Sequence, residues 1–150
     1  MVKRMLTRRF ISMAVLVALG LFLLIQLLPM GKNHTNPPVV SEPSWDSPET
    51  VALLRRACLD CHSNETVWPW YSNVAPMSWL LQKDVDEARS RLNFSEWEAQ
   101  KVTDARLIAA MIETGTMPPS RYVMMHPEAK LTQSERAQLI QGIEKTPGQP

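Results

Sequence analysis

Residues 47–62 read SPETVALLRRACLDCH, and this stretch decides the fold of the chain. A serine followed by a proline is a typical helix start, because serine caps the first turn and proline suits the first helical position. Val51 and Leu54 then lie on one face of that helix. The helix leads directly into residues 58–62, CLDCH, which hold two thiols three residues apart and a histidine beside the second thiol.

Cys58, Cys61 and His62 together predict a covalently attached haem. Thiols at this spacing can each add to one vinyl group of the macrocycle, and the adjacent imidazole is then positioned to bind the iron. Other uses of a Cys-x-x-Cys pair fit less well. A thioredoxin-type redox pair belongs to a βαβ pattern, which the sequence lacks. A structural zinc site needs four ligands, which the two Cys and three His supply poorly. A plain disulfide leaves the adjacent histidine unexplained. We expect one haem c, with His62 as the proximal iron ligand.

Three further helical patterns follow the motif. Apolar residues recur every three or four positions after Pro76. Residues 95–98 (SEWE) and 132–135 (TQSE) are capping boxes that predict the starts of a third and a last helix, and Gly115 stands where a left-handed cap would end the third. The expected apolar faces are Met77, Leu81, Val85, Ala88 and Leu92, then Val102, Ala105, Ile108, Ala109 and Ile112, then Leu139, Ile140 and Ile143.

No segment alternates apolar and polar residues for long enough to predict a strand. Residues 48–146 are therefore predicted to be an all-α, haem-binding domain. Aromatic residues are concentrated between its first and third helices, either as ordinary core residues or as cover for a large flat group at the centre. They include Trp68, Trp70, Trp79, Trp97, Tyr71 and Phe94.

The first thirty residues combine four basic side chains with a long apolar run. As a helix, residues 10–28 would measure about 28 Å at about 1.5 Å per residue, close to the ~30 Å hydrocarbon core of a bilayer. A cleaved signal peptide usually has a shorter apolar region, of about 7–15 residues, and a small-residue cleavage site, which residues 29–32 (PMGK) do not provide. We predict a transmembrane anchor at 10–28 behind a cytoplasmic basic flank at 1–9.

The remainder of the chain is expected outside the cytoplasm, because basic residues hold the N-terminal end inside. This predicts a single-pass protein of the bacterial inner membrane with its domain on the periplasmic side. Residues 29–47, rich in proline and poor in apolar periodicity, are predicted to be a semi-extended tether. Residues 31–150 carry 12 Lys and Arg against 15 Asp and Glu, a balance that argues against nucleic-acid binding.

Three stretches of the body, CLDCHSNETVWPWYSNVAPMSWLL, RLNFSEW and MPPSRYVMMHPEAKLTQSE, resemble the bacterial haem-binding domain family (Haem_bd) over about residues 50–142. The resemblance implies a c-type domain with one haem, commonly anchored or exported. Members often carry a tryptophan near the end of the last helix, where this chain has Gln141-Gly142-Ile143. That departure concerns packing more than haem attachment.

The order of parts is also similar to that of small class I cytochromes c, which indicates a second axial ligand in the loop after the third helix. Met117 is the leading candidate, because Pro118 holds it out of helical geometry and a second proline stiffens the loop. His126, followed by another proline, is the rival. Met124, Met125 or an open face are the remaining alternatives.

A haem ligated on both faces has no open site, which suits electron transfer. We therefore predict a membrane-anchored cytochrome that is not an enzyme, with unidentified redox partner proteins at the membrane. The alternative function is a haem with an open or displaceable face that senses a gas or redox state, or reacts with peroxide. Arg121 and His126 would then supply the acid and base groups that such chemistry needs.

Overall fold

The computed structural model describes residues 2–99 and 104–146, and regular structure in these ranges is helical. An isolated bridge between Ser41 and Glu96 is the one β-type contact there. The prediction of an all-α fold is therefore confirmed for the described part of the chain. The helices are α1 (Val2–Gln26), α2 (Pro48–Ala57), α3 (Leu59–His62), α4 (Met77–Arg91), α5 (Ala105–Glu113), α6 (Ser120–Met125) and α7 (Gln133–Lys145). Short 3-10 turns lie at Trp70–Asn73, Trp97–Ala99 and Pro127–Ala129.

The chain packs as two compact units. The first unit comprises Met1–His34 and Pro69–Lys83, and the second comprises Thr35–Trp68 and Asp84–Pro150. All of the CLDCH motif falls in the second unit, as do both main candidates for the second axial position.

α1 contains a span, Thr7–Gln26, that is long and apolar enough to cross a membrane. Its mean hydropathy is 2.1 over 20 residues and none of it is buried. At about 1.5 Å per residue the span measures about 30 Å. The helix therefore coincides with most of the apolar run that the sequence indicated at residues 10–28.

The core of the second unit forms where α5 and α2 pack against α7. Leu54 of α2, Ile112 of α5 and Leu139 of α7 are all buried in it. Full burial of such a side chain contributes about 1.5–3 kcal/mol, so these contacts account for much of the stability of the unit. Cys58 packs against the edge of this core, so the motif begins in direct contact with it.

Three helix ends agree with the local signals in the sequence. The Ser47 hydroxyl accepts the backbone N–H of Thr50 at 3.2 Å and begins α2. A complete capping box, formed by Thr132 and Glu135, begins α7. Gly115 follows α5 with φ +71°, the left-handed conformation expected of a helix cap.

The start of the third helix differs from the sequence prediction. Ser95 is buried, and its hydroxyl accepts the backbone N–H of Asn64 at 2.9 Å, so it caps no helix. α5 begins later, at Ala105, where the Asp104 carboxylate accepts a backbone N–H of the first turn at 2.9 Å. The capping-box prediction at residues 95–98 is wrong because a tertiary partner takes the serine hydroxyl. Val102, expected on this helix, lies outside the described residues.

Residues 35–47, the larger part of the proline-rich segment, lie along the second unit. The backbone N–H of Val40 donates to the Ser95 carbonyl at 2.9 Å. The Arg89 guanidinium donates to the Thr35 carbonyl, also at 2.9 Å. These bonds make the extended chain part of the folded unit, because an extended backbone can meet its hydrogen-bonding needs only through such partners or water.

The aromatic residues divide between core and surface. Phe94 and Trp97 are buried, and their rings stack at 6.0 Å between centroids. Trp45 completes this cluster by packing edge-on against Phe94 at 5.2 Å. Trp70, in contrast, is 80% exposed. Part of the aromatic excess is therefore ordinary core, and part lies on the surface.

Candidate haem-attachment site

The three residues of the motif lie on one helical turn. The backbone N–H of Cys58 donates to the Leu54 carbonyl at 2.7 Å, which ends α2. In α3, the backbone N–H groups of Cys61 and His62 then donate to the Cys58 carbonyl at 3.1 and 2.9 Å. Both thiols are free rather than joined in a disulfide. The turn thus presents two thiols and one imidazole from a short, hydrogen-bonded segment.

The imidazole of His62 is oriented by the backbone that follows α4. Its Nδ1 lies 3.0 Å from the Leu92 carbonyl oxygen. Because a carbonyl only accepts, Nδ1 carries the proton and Nε2 carries the lone pair. Burial lowers the pKa of His62, although the Leu92 and Ala88 carbonyls partly oppose that shift. A neutral imidazole with its lone pair on Nε2 is the form that binds a metal ion.

Phe94 restrains the same histidine. Its backbone N–H donates to the His62 carbonyl at 2.8 Å. Its ring meets the imidazole edge-on, with 6.3 Å between centroids. Since Phe94 is itself stacked in the buried aromatic cluster, the core of the unit supports the orientation of His62.

Both thiols are held in their neutral form. Burial, reinforced by the neighbouring Cys61, raises the pKa of Cys58 to about 12. Burial also raises the pKa of Cys61 to about 11, and the nearby Asp60 and Asp84 carboxylates add to the effect. Catalytic redox pairs and metal-binding thiolates have lowered pKa values instead. The environment of the two cysteines therefore disfavours a dithiol redox pair.

Asp60, between the two cysteines, connects the motif to two other segments. One of its carboxylate oxygens accepts the backbone N–H of Val67 at 3.0 Å. The other accepts the Tyr122 hydroxyl at 2.7 Å. Because Tyr122 lies on α6, this bond fixes α6 against the CLDCH turn at residues 58–62.

His126 lies immediately after α6 and is engaged by two neighbours. Its ring stacks on Tyr122 with 4.4 Å between centroids and 19° between planes. Its Nδ1 lies 3.1 Å from the Glu128 carboxylate. The structure therefore connects His126 to the motif through Tyr122 and Asp60.

Arg121 also lies close to the motif. Its guanidinium donates to the Asp84 carboxylate at 2.8 and 3.2 Å, in a fork-like pair. Both charges act on the Cys61 thiol, where Asp84 raises the pKa and Arg121 lowers it. An arginine–carboxylate pair thus contributes to the electrostatic surroundings of the second cysteine.

Met117 lies in the loop between α5 and α6 and is half-buried. Its backbone N–H donates to the Met111 carbonyl at 3.0 Å, which ties the loop to the end of α5. The loop leads within a few residues into Tyr122, the residue bonded to Asp60. Met117 is therefore carried by a segment that is fixed at both ends.

No sequence pattern predicted the groups that orient His62 and the CLDCH turn. The Leu92 carbonyl is a backbone group, so no residue type could have signalled it. Asp60 and Tyr122 are joined over 62 positions of sequence, and neither belongs to a pattern. The one available signal was the four-residue spacing of Tyr122 and His126, which predicts neighbouring rings on a helix.

The donor set fits a haem attached through thioethers. Two thiols at the Cys-x-x-Cys spacing and one imidazole with its Nε2 lone pair are what such attachment and ligation need. Within residues 2–99 and 104–146, no group of three or more His, Cys, Asp or Glu is placed to hold a metal ion by itself. Cys58, Cys61 and His62 would hold the cofactor, and its iron would supply the redox centre.

The fold and this site define a helical domain suited to a haem. A sequence model of the haem-binding domain family, Haem_bd, matches residues 20–145. The chain therefore belongs to this family. The match includes all of the proline-rich segment, in agreement with the contacts that residues 35–47 make with the second unit. Neither a curated protein nor a solved structure matches the chain.

Proposed function

We propose that the chain is a membrane-anchored, monohaem c-type cytochrome domain that transfers single electrons outside the cytoplasmic membrane. When bound, the haem supplies the one-electron couple of its iron. Family membership supports the cofactor, and the CLDCH turn supports covalent attachment. The domain is proposed to be an electron carrier with protein redox partners, rather than an enzyme.

Cys58 and Cys61 are the proposed attachment residues. Each sulfur forms a bond to one vinyl carbon, and the proton of that thiol passes to the other carbon of the same vinyl group. His62 binds the iron through Nε2, since Nδ1 is committed to the Leu92 carbonyl. Met117, on the loop before α6, is the proposed second axial ligand.

The hydrogen bond from His62 Nδ1 to the Leu92 carbonyl is the observation that carries this proposal. A metal-bound histidine that donates to a carboxylate becomes more basic. Strong electron donation by an axial ligand promotes cleavage of the oxygen–oxygen bond. A neutral carbonyl leaves the imidazole a weaker donor, which suits reversible electron transfer better than peroxide chemistry.

The anchor and its side of the membrane are part of the same proposal. The apolar span Thr7–Gln26 supports anchoring, and the basic residues before it support a cytoplasmic N-terminus. Haem attachment to Cys-x-x-Cys-His takes place on the outer side of the bacterial membrane. The inferred topology therefore puts the motif in the compartment where it can be used.

A second candidate function is gas or redox sensing, or peroxide reaction, at an exchangeable sixth position. The Arg121–Asp84 ion pair favours it, because arginine and carboxylate groups near an open haem face would assist oxygen chemistry. A haem that binds carbon monoxide readily in the unmodified protein would support this function. A haem that resists carbon monoxide would support the carrier.

Haem retention after denaturation tests covalent attachment. The full chain, produced with a c-type maturation system, is expected to keep its haem through acid–acetone extraction and to show the added mass of one haem. Cys58→Ser combined with Cys61→Ser is expected to lose all retained haem, because no thioether can form.

The single variants are the matched controls. Cys58→Ser or Cys61→Ser alone is expected to retain haem through the remaining thioether. The mass of the denatured single variant distinguishes one attached haem from none. Haem that extracts completely from the unmodified chain would contradict covalent attachment.

A further inference from the structure

The two units differ sharply in charge. The first unit contains six Lys and Arg and no Asp or Glu, whereas the second contains ten Lys and Arg against fifteen Asp and Glu. Residues 69–83 also lack Asp and Glu, although the sequence on both sides of them is acidic. Lys83 is their one charged residue. Anionic lipid headgroups attract Lys and Arg and repel carboxylates. Four of the six basic residues belong to the flank at residues 1–9, so Lys32 and Lys83 are the charges available at the other end of the apolar span, with no carboxylate in the unit to oppose them.

The end of α1 is fixed to residues 69–83 within this unit. The Gln26 side-chain amide donates to the Ala75 carbonyl at 3.0 Å, and its oxygen accepts the Ala75 N–H at 2.9 Å. Gln26 is the last residue of the apolar span. Ala75 is therefore held at the level where the span ends.

Two neighbouring contacts extend this attachment. The Lys32 ammonium donates to the Gln26 carbonyl at 2.7 Å, at the C-terminal end of α1. Gly31, with φ +67°, passes so close to the backbone of Ser78 and Trp79 that a Cβ atom would stand 2.6 Å from it. The chain that leaves α1 is thus in close contact with the start of α4.

Exposed apolar side chains lie on both sides of Ala75. Trp70 is 80% exposed and Leu80 is 42% exposed. Each is five residues from Ala75, so its Cα can be no more than about 18 Å from that of Ala75. Met77 is also exposed and, being three residues before Leu80 on α4, shares its helix face. A tryptophan beside aliphatic side chains is typical of the interface between lipid and water.

We infer that Trp70, Met77 and Leu80 insert into the headgroup region of the membrane that α1 spans. The inference rests on the proposed anchor and adds a second membrane contact, made by residues 69–83. The occupant of this apolar surface is phospholipid, because residues 69–83 are bonded to the last residue of the exposed apolar span and their unit has no carboxylate. Lys32 and Lys83 provide the positive charges that accompany such a contact.

Photocrosslinking to lipid tests this inference. The full-length, haem-loaded chain is reconstituted in vesicles of phosphatidylethanolamine and phosphatidylglycerol, with p-benzoylphenylalanine in place of Trp70 or, separately, Leu80. Irradiation is expected to add the mass of one phospholipid at both positions. The two substitutions are independent, so a folding defect in one leaves the other informative.

Two further positions serve as controls. Leu16, 69% exposed within the apolar span, is expected to yield the same adduct. Leu107, 59% exposed in the second unit, is expected to yield none. An adduct at Leu16 with none at Trp70 and Leu80 would overturn the inference and leave the anchor intact. Absence of an adduct at Leu16 as well would overturn the anchor and the inference together. A cross-link from position 70 to a second copy of the chain would also overturn it.

Discussion

Met117 and His126 lie on either side of α6 and would give the haem different properties. A thioether opposite His62 favours reduced iron and raises the reduction potential, whereas a second imidazole lowers the potential. His126 already stacks on Tyr122 and contacts Glu128. The contact through Nδ1 does not by itself prevent ligation through Nε2, and the Met117 thioether has no strong hydrogen bond to lose.

Met117→Ala is therefore expected to change the spectrum and the potential. The weak sulfur-to-iron band at the red end of the visible spectrum should disappear from the oxidised protein. The reduction potential should fall, because a thioether stabilises reduced iron more than water does. The reduced haem should also bind carbon monoxide, as measured by its absorption spectrum. The unmodified protein should resist carbon monoxide.

His126→Ala is the matched control at the other end of α6. It should leave the band and the potential nearly unchanged. The opposite pattern, in which His126 is needed and Met117 is dispensable, would establish bis-histidine ligation instead.

For individual residues, the sequence predicts Cys58, Cys61 and His62 as the haem-binding residues. It does not predict the groups that hold these residues in position. CLDCH is local, so its residue types and spacing are enough to predict covalent haem attachment. The Leu92 carbonyl and the Asp60–Tyr122 bond depend on how distant segments meet. No local pattern contains that information.

Among the secondary-structure elements, α6 is distant in sequence from the CLDCH turn but is bonded to it through a side chain. The Tyr122 hydroxyl donates to the Asp60 carboxylate at 2.7 Å. Tyr122→Phe should lower the free energy of unfolding by about 1–2 kcal/mol, since the bond is charge-assisted and half-buried. Urea unfolding of the full chain in detergent, followed by tryptophan fluorescence, measures the change.

Arg121→Gln is the control for this prediction. Arg121 is paired with Asp84, but 63% of its side chain is exposed. Such a pair contributes little, and we expect a change within about 0.5 kcal/mol. A larger loss for Arg121→Gln than for Tyr122→Phe would contradict the role assigned to Tyr122.

The same bond predicts a dependence on alkaline pH. Burial and the bond to Asp60 raise the pKa of Tyr122 above its ordinary value of 10.0. The folded state therefore favours the protonated phenol. Its contribution is complete below pH 10 and is lost as the pH rises further. Urea unfolding at several pH values should show that the unmodified chain loses its stability advantage over Tyr122→Phe above about pH 10.

The packing of α2 against α7 gives a second prediction at the scale of elements. A Cβ atom at Gly142 would overlap the side chain of Thr50, which is 1% exposed. An Ala for Gly change within a helix normally stabilises by ~1 kcal/mol. Gly142→Ala should instead destabilise the unit by about 1–3 kcal/mol, because the core is overpacked.

Thr50→Ala provides the control for this prediction, since it removes the atoms in closest conflict. In that background Gly142→Ala should cost much less than it does alone, as measured by urea unfolding. Stabilisation by Gly142→Ala in the otherwise unmodified chain would refute the steric argument.

Helix boundaries show where sequence signals suffice. Ser47, Gly115 and the Thr132–Glu135 box act within their own turns, so local rules predict them correctly. Ser95 has the same residue pattern but bonds to Asn64, 31 residues away. α6 lacks a side-chain cap, and no periodic pattern announces so short a helix.

The two structural units differ more in net charge than do the two parts of the sequence before and after residue 30. Dividing the chain at residue 30 gives +4 and −3. Dividing it by structural unit gives +6 and −5. The difference arises because residues 69–83 join the N-terminal unit, which is a consequence of folding rather than of sequence order.

The location of the full chain can be tested by fractionation. The product should sediment with membranes, resist extraction by high salt and retain its N-terminal residues, because its apolar span of 20 residues is long enough to serve as an anchor. N-terminal sequencing of the mature protein supplies the last measurement. A mature chain that begins near Gly31 would indicate a cleaved export signal and a protein released from the membrane.

The orientation of His62 depends on an atom that no side-chain substitution removes. Every amino acid at position 92 has the same backbone carbonyl oxygen. A substitution there therefore changes how the side chain packs against the core but keeps the hydrogen-bond acceptor of His62. Only an insertion or deletion that redirects the chain after α4 would displace this acceptor. If His62 binds the iron as proposed, substitutions at position 92 would leave the acceptor for its Nδ1–H in place.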